Sequence, residues 1–183
     1  MSRDGTGPTG PSASTGPTGP IVSSAHLVSE RAAELSEFEY GMIVAGNAFQ
    51  RWVVHCMTAA GLEGLSTLEV LVLHAVNHRA RDKRLADLCF MLHIEETHTV
   101  NYALKKLVKA QLVTQDRRGK EKFYSTSATG GAACDRYREV REACLVQSLD
   151  SLGLDRAATA RLADHLRALS GLYDQAARSA ASL

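Results

Sequence analysis

Apolar positions between Ser29 and Ala60 recur at alternating steps of three and four: Leu35, Phe38, Met42, Ala45, Phe49, Trp52 and Cys56. That spacing predicts a long helix with a coiled-coil type of seam. Gly61 and Gly64 end it. The far end of the chain repeats the theme with Leu162, Leu166, Leu169, Tyr173, Ala176 and Ala180. Gly153 breaks the chain before this last helix, and Asp155 is placed to cap it. A further helix is expected over Ala132–Leu152, with Tyr137, Val140, Cys144 and Leu149 on its apolar side.

The middle of the chain has a different grain. Ser66 caps a helix carrying Leu68, Leu71, Val72 and Ala75. A polar, basic loop follows, from Asn77 to Asp82. Lys83–Leu92 reads as a helix with Leu85, Leu88, Cys89 and Leu92 inward. After a break at His93-Ile94-Glu95, Glu96–Ala110 reads as another helix. Its inward positions are Val100, Ala103, Leu104 and Leu107, the i, i+3, i+4, i+7 pattern. Leu112–Thr114 is a short strand, Asp116–Lys120 a charged turn holding Gly119, and Phe123–Thr126 the return strand. Helices followed by a two-stranded hairpin give the winged helix-turn-helix order. The expected fold class is therefore mainly α with a small β-hairpin wing, flanked by long dimerisation helices.

Two long seams at opposite ends of the sequence need partners. They can pack on each other within one chain or across a twofold axis between two chains, and the second arrangement is favoured here. The expected organisation is a Gly/Pro/Thr/Ser-rich disordered tail at 1–28, an N-terminal dimerisation helix at 29–62, the winged domain at 63–128 and C-terminal dimerisation helices at 129–183. The tail holds all four prolines, and Gly-Pro-Thr-Gly-Pro occurs there twice. It is collagen-like but too short for a triple helix.

Net charge is only +1, so the distribution matters more than the total. Seven basic and two acidic residues lie between Lys105 and Lys122, and four basic residues with Asp82 lie between Arg79 and Arg84. The rest of the chain is acidic. A basic patch on an acidic body suits a phosphate backbone approached from one side. No apolar run is long enough for a membrane span, and no export signal is read at the start, so the expected place of action is the cytoplasm. Four cysteines without C-x-x-C spacing are then expected as thiols rather than as a zinc site.

The segment Thr99–Val113 resembles the recognition helix of MarR-family regulators running into its wing. Leu85-Ala86-Asp87 is similar to the start of the preceding helix, Asp116-Arg117-Arg118 to the Asp-x-Arg of the wing, and Thr129-Gly130-Gly131 to the Thr-x-x-Gly that ends it. The family usually has glycine where Gln111 stands and often arginine where Tyr102 stands. The stretch from Leu85 to Val100 is about four residues longer than the family's usual pattern. The resemblance covers roughly residues 30 to 180. It implies a transcription regulator, a repressor, binding an inverted-repeat operator in double-stranded DNA as a homodimer. It also implies a small-molecule effector.

A helix enters the major groove with its N-terminal outward residues at base edges. Here those are Thr97, His98, Thr99, Asn101 and Tyr102, with Lys105 one turn on. Asn101 suits adenine. Lys105, Lys106 and Lys109 suit phosphates. Arg117 or Arg118, with Lys120 at the wing tip, suits an adjacent minor groove, and Asp116 is expected to brace Arg118. The dimer seams are expected at Leu35, Phe38, Met42, Phe49, Trp52, Leu162, Leu166, Leu169 and Tyr173.

Other constellations are weaker. His74 and His78 have zinc-compatible i, i+4 spacing but no third ligand nearby. His93, Glu96 and His98 cluster in the turn. No metal and no cofactor are expected. Cys56, Cys89 and Cys144 fall on apolar faces and read as small buried hydrophobes, a redox thiol being the alternative. No phosphate-binding glycine loop, nucleophile elbow or H-E-x-x-H occurs, so no enzyme is expected. The alternative function is a winged-helix adaptor that binds protein rather than specific DNA. Such a module would not need a basic wing.

Overall fold

The computed structural model describes residues 33–153 and 155–183. The expected tail at 1–28 and the start of the first helix lie outside these residues. The elements are α1 (Ala33–Ala59), α2 (Thr67–Asn77), α3 (Leu85–Leu92), α4 (Thr97–Lys109), β1 (Val113–Arg118), β2 (Glu121–Thr126), α5 (Ala128–Cys144) and α6 (Arg156–Ala180). Short 3-10 turns lie at His78–Ala80 and Val146–Leu152.

The chain divides into two units at Phe49. In the first, the helix leaves Leu35, Ile43, Val44 and Phe49 exposed, with Phe38 and Met42 half-buried. In the second, α1 continues and buries Val53, Cys56, Met57 and Ala60 in the core. The core-facing stripe there runs along Val53 and Met57 as well as Cys56, while Trp52 packs at its margin.

α2 is the central helix. Its first turn is a capping box: the Glu69 amide donates to Ser66 Oγ at 3.4 Å, and the Ser66 amide donates to Glu69 Oε2 at 2.8 Å. Val70, Val72, Leu73, Ala75 and Val76 are all buried, because α3, α4, α5 and β2 pack around it. Leu68 and Leu71, expected among its core positions, are only half-buried.

Three expected boundaries shift, each for a reason of pairing. Lys83 does not start a helix. Its backbone exchanges two hydrogen bonds with Tyr124, at 3.0 and 2.8 Å, and so adds a rung beside the hairpin. Its side chain is buried, and the ammonium donates to the carbonyls of Val76, His78 and Arg81 at 2.8, 2.5 and 2.9 Å. α3 begins at Leu85, where Asp87 accepts from the Arg84 amide at 2.9 Å. The hairpin is longer than expected. Asp116, Arg117 and Arg118 are paired strand residues, and the turn shrinks to Gly119-Lys120. α5 begins at Ala128, so Thr129-Gly130-Gly131 forms its first turn, and it ends at Cys144 instead of continuing to Leu152. Ser127 caps α5 by accepting from the Gly130 amide at 3.0 Å.

Asp155 caps α6 as expected, accepting from the Ala158 amide at 2.6 Å. Among the described residues, α6 buries no side chain in this chain. No described helix is long and apolar enough to cross a membrane.

Candidate nucleic-acid interface

The rotation of α4 is set by its buried stripe. Val100, Ala103, Leu104 and Leu107 are 0–3% exposed. Burial of side chains like Leu104 and Leu107 contributes about 2 kcal/mol each. That fixes which residues face out. His98, Tyr102 and Lys105 form one outward column. The rings of His98 and Tyr102 meet edge-on at 6.5 Å, and the Lys105 ammonium lies 5.3 Å from the Tyr102 ring centre. His98 Nδ1 also lies 3.1 Å from Glu96 Oε2. Lys109 is exposed one turn further on. Thr99 is half-buried, and its hydroxyl donates to the Glu96 carbonyl at 2.7 Å.

Thr97 and Asn101 border a groove of about 440 Å³ between the start of α4 and the hairpin. Arg84, Glu121, Lys122 and Tyr124 line its other side. Arg84 and Lys122 are absent from the expected site. A helix pattern cannot show that the residue capping α3 and β2's second residue converge on one groove. Their signal in the sequence was charge alone.

In the hairpin Arg117 pairs with Lys122, so both share a face. Arg117 donates to the Gly119 carbonyl at 3.1 Å. Arg118 pairs with Glu121 on the opposite face. Asp116 braces Arg118 as the sequence reading anticipates, at 2.9 Å, and Asp82 supplies a second carboxylate. The Arg118 guanidinium also lies over Phe123, 4.6 Å from the ring centre. Hydrogen bonds from Ser125 and then Arg118 hold the Asp82 carboxyl below its ordinary range. Lys120 sits at the exposed tip beside Gly119, whose φ of +65° suits glycine.

Two expected contact residues are engaged elsewhere. Lys106 donates to Glu69 Oε2 at 2.8 Å and to the Gly64 carbonyl at 2.9 Å, which ties α4 to the start of α2. Arg118 is held by Asp82, Asp116 and Phe123 as described. Lys105, Lys109, Arg117 and Lys120 remain on the exposed surface with Tyr102 and His98. The expected dimer-seam residues Leu162 and Leu166 are exposed, and Leu169 and Tyr173 half-buried.

The cysteines differ from expectation at one position. Cys56, Cys89 and Cys134 are buried and Cys144 is exposed. Burial raises the Cys56 and Cys89 thiols and pushes Cys134 up to about 11. His78 is not on α2 but in the 3-10 turn after it, so the expected His74–His78 helical pair does not form. His74 stacks edge-on against Tyr137 at 4.5 Å.

Residues 65–130 match the family model described as the winged helix DNA-binding domain. Known structures extend the likeness over most of its length. A MarR-family regulator from Neisseria meningitidis is 17% identical, with a TM-score of 0.61 over 78% of this chain and 95% of that one. AbfR bound to DNA, in its reduced form, is 14% identical, with a TM-score of 0.62 over 79% and 97%. CouR from Rhodococcus jostii bound to p-coumaroyl-CoA is 13% identical, with a TM-score of 0.60 over 72% and 90%. No curated protein sequence is detectably similar to the chain. The winged-helix fold class read from the sequence is borne out by this match and by the folds of these neighbours.

Proposed function

We propose that the chain is a sequence-specific, DNA-binding transcription regulator acting in the cytoplasm as a homodimer on an inverted repeat. The carrying observation is the placement of α4. Its apolar stripe is fully buried, which leaves His98, Tyr102, Lys105 and Lys109 outward and brings Asn101 into one groove with Arg84 and Lys122. A helix so mounted fits the major groove, with Arg117 and Lys120 reaching toward the flanking minor groove. Lys106 and Arg118 serve the fold first.

The dimer reading rests on surface left uncovered. α6 buries nothing in this chain while exposing Leu162, Leu166 and Leu172, and α1 exposes Leu35 and Phe49. Residues 29–62 and 129–183 would supply the shared bundle around the winged domain at 63–128. Regulation by repression follows from occupancy of an operator. A small acidic or thioester ligand is the favoured effector class, by likeness to a neighbour bound to p-coumaroyl-CoA. Release by thiol oxidation is disfavoured at Cys56, Cys89 and Cys134, where burial keeps the thiols protonated.

The test begins with DNA selected from a random pool by the full chain, followed by titration of the selected and random duplexes at several salt concentrations. Both should bind, the selected one far more tightly, with a slope in log salt set by the phosphate contacts. Asn101→Ala should cost about 1–3 kcal/mol on the selected site and relax choice at one base pair. Light scattering should give twice the chain mass. A chain that binds no duplex at low salt would hand the surface to the adaptor reading.

A further inference from the structure

The turn between α3 and α4 closes as a Schellman motif. The His93 amide donates to the Phe90 carbonyl at 3.2 Å, and the Ile94 amide donates to the Cys89 carbonyl at 3.0 Å. The motif puts its C′ residue in the left-handed region, where glycine is the usual occupant. Here that residue is His93, with φ +55°. An L residue in that conformation is strained relative to glycine. The position is therefore occupied at a conformational cost, and a side chain in use there would offset it.

That use is visible. His93 Nε2 lies 2.8 Å from Asp174 Oδ2, across 81 residues of sequence. Asp174 belongs to the last turns of α6. The two residues, with Cys89, Phe90, Ile94 and Glu95, border a cleft of about 210 Å³ between α6 and the turn. The turn leads directly into α4, whose first residue is only four positions beyond His93. Because α6 buries no side chain of its own, a polar bond to this turn is well placed to set how α6 stands against the winged domain.

We propose that the His93–Asp174 pair is a strut that couples the orientation of α6 to that of α4, and so fixes the half-site spacing the dimer accepts. This rests on the reading of α4 as the recognition helix and of α6 as part of the dimer bundle. His93 and Asp174 act as positioning residues and touch no DNA. An arrangement of this kind transmits in both directions. Whatever shifts α6 also shifts the spacing at which two recognition helices are presented, and operator binding biases α6 in return.

The test uses the full chain with His93→Gly, Asp174→Ala and the double variant. Each is titrated on the selected inverted repeat, on the same repeat with one base pair added at its centre, and on random duplex. Glycine suits the backbone at position 93, so the His93→Gly melting temperature should equal or exceed that of the unaltered chain. Its affinity for the selected repeat should nevertheless fall about five- to tenfold, and its preference over the lengthened repeat should shrink. Random duplex should bind as before, since no phosphate contact is lost. Asp174→Ala should behave alike, and the double variant should be no worse than either. Unchanged spacing preference in His93→Gly, with the unaltered chain binding normally, overturns the strut alone. An unaltered chain that binds no duplex overturns the DNA reading and the strut with it.

Discussion

The Lys106 ammonium on α4 donates to the Glu69 carboxylate on α2 at 2.8 Å, and that carboxylate also closes the capping box of α2. One ion pair thus holds α4 to the start of the central helix, α2. Burial would raise the Glu69 carboxyl, but the bonds from Lys106 and Ser66 outweigh it and hold the group below its ordinary range. A carboxyl depressed in the folded state stabilises the fold above its unfolded pKa, and the contribution is lost as pH falls through the folded value.

Lys106→Met is therefore expected to act on stability rather than on DNA. It should destabilise the chain by about 1 kcal/mol at neutral pH, with the difference from the unaltered protein shrinking in acid. Chemical denaturation at several pH values reads this directly. Its salt slope on random duplex should match the unaltered chain. Lys109→Ala should show the converse, with unchanged stability and a slope flatter by about one unit. A Lys106 variant that loses the salt slope while keeping its stability would return that lysine to the DNA surface.

Gly130 is closed to any side chain. A Cβ there would lie 2.1 Å from the Leu112 carbonyl oxygen, a backbone atom at the entrance to β1. Gly131, its neighbour, has open space around it. Gly130→Ala must push α5 away from the hairpin base and should cost at least about 2 kcal/mol. Gly131→Ala should be neutral or stabilising by up to about 1 kcal/mol, since alanine favours the helix. Urea unfolding of the two variants makes the comparison. Equal stabilities would mean that α5 does not approach the hairpin this closely.

His74 Nε2 is buried without a hydrogen-bond partner, and its ring stacks on Tyr137. Burial lowers the pKa of this histidine. The unfolded chain then takes up the proton more readily than the folded one. The stability His74 permits is present above the unfolded value and is lost as pH falls through the folded one. His74→Phe keeps a ring against Tyr137 and removes the titrating nitrogen. Its melting temperature should rise relative to the unaltered chain, and the gain should be larger at pH 5 than at pH 7. A gain independent of pH would mean that His74 charges as freely in the folded chain as in the unfolded one.

The order of elements and the inward stripe of α4 are local properties, and the sequence alone determined them. Val100, Ala103, Leu104 and Leu107 follow the helical period, and all four are buried. Ser66 and Asp155 cap because the residues they bond lie three positions away in the chain. What each cation does is not local, and only the tertiary structure decided it. Lys83, Lys106 and Arg118 look like the other basic residues of the patch when read in line. Lys83 is buried against three carbonyls because the α2 C-terminus closes over it. Lys106 and Arg118 find carboxylates 37 and 36 positions away. The wing's length follows the same rule, since cross-strand bonds and not periodicity set where β1 ends. Cys134 is buried on the core side of α5, whereas Cys144, the last residue of that helix, is exposed. A helical period reports which residues face a common direction. Which of the charged ones meet a partner there depends on the elements that fold against them.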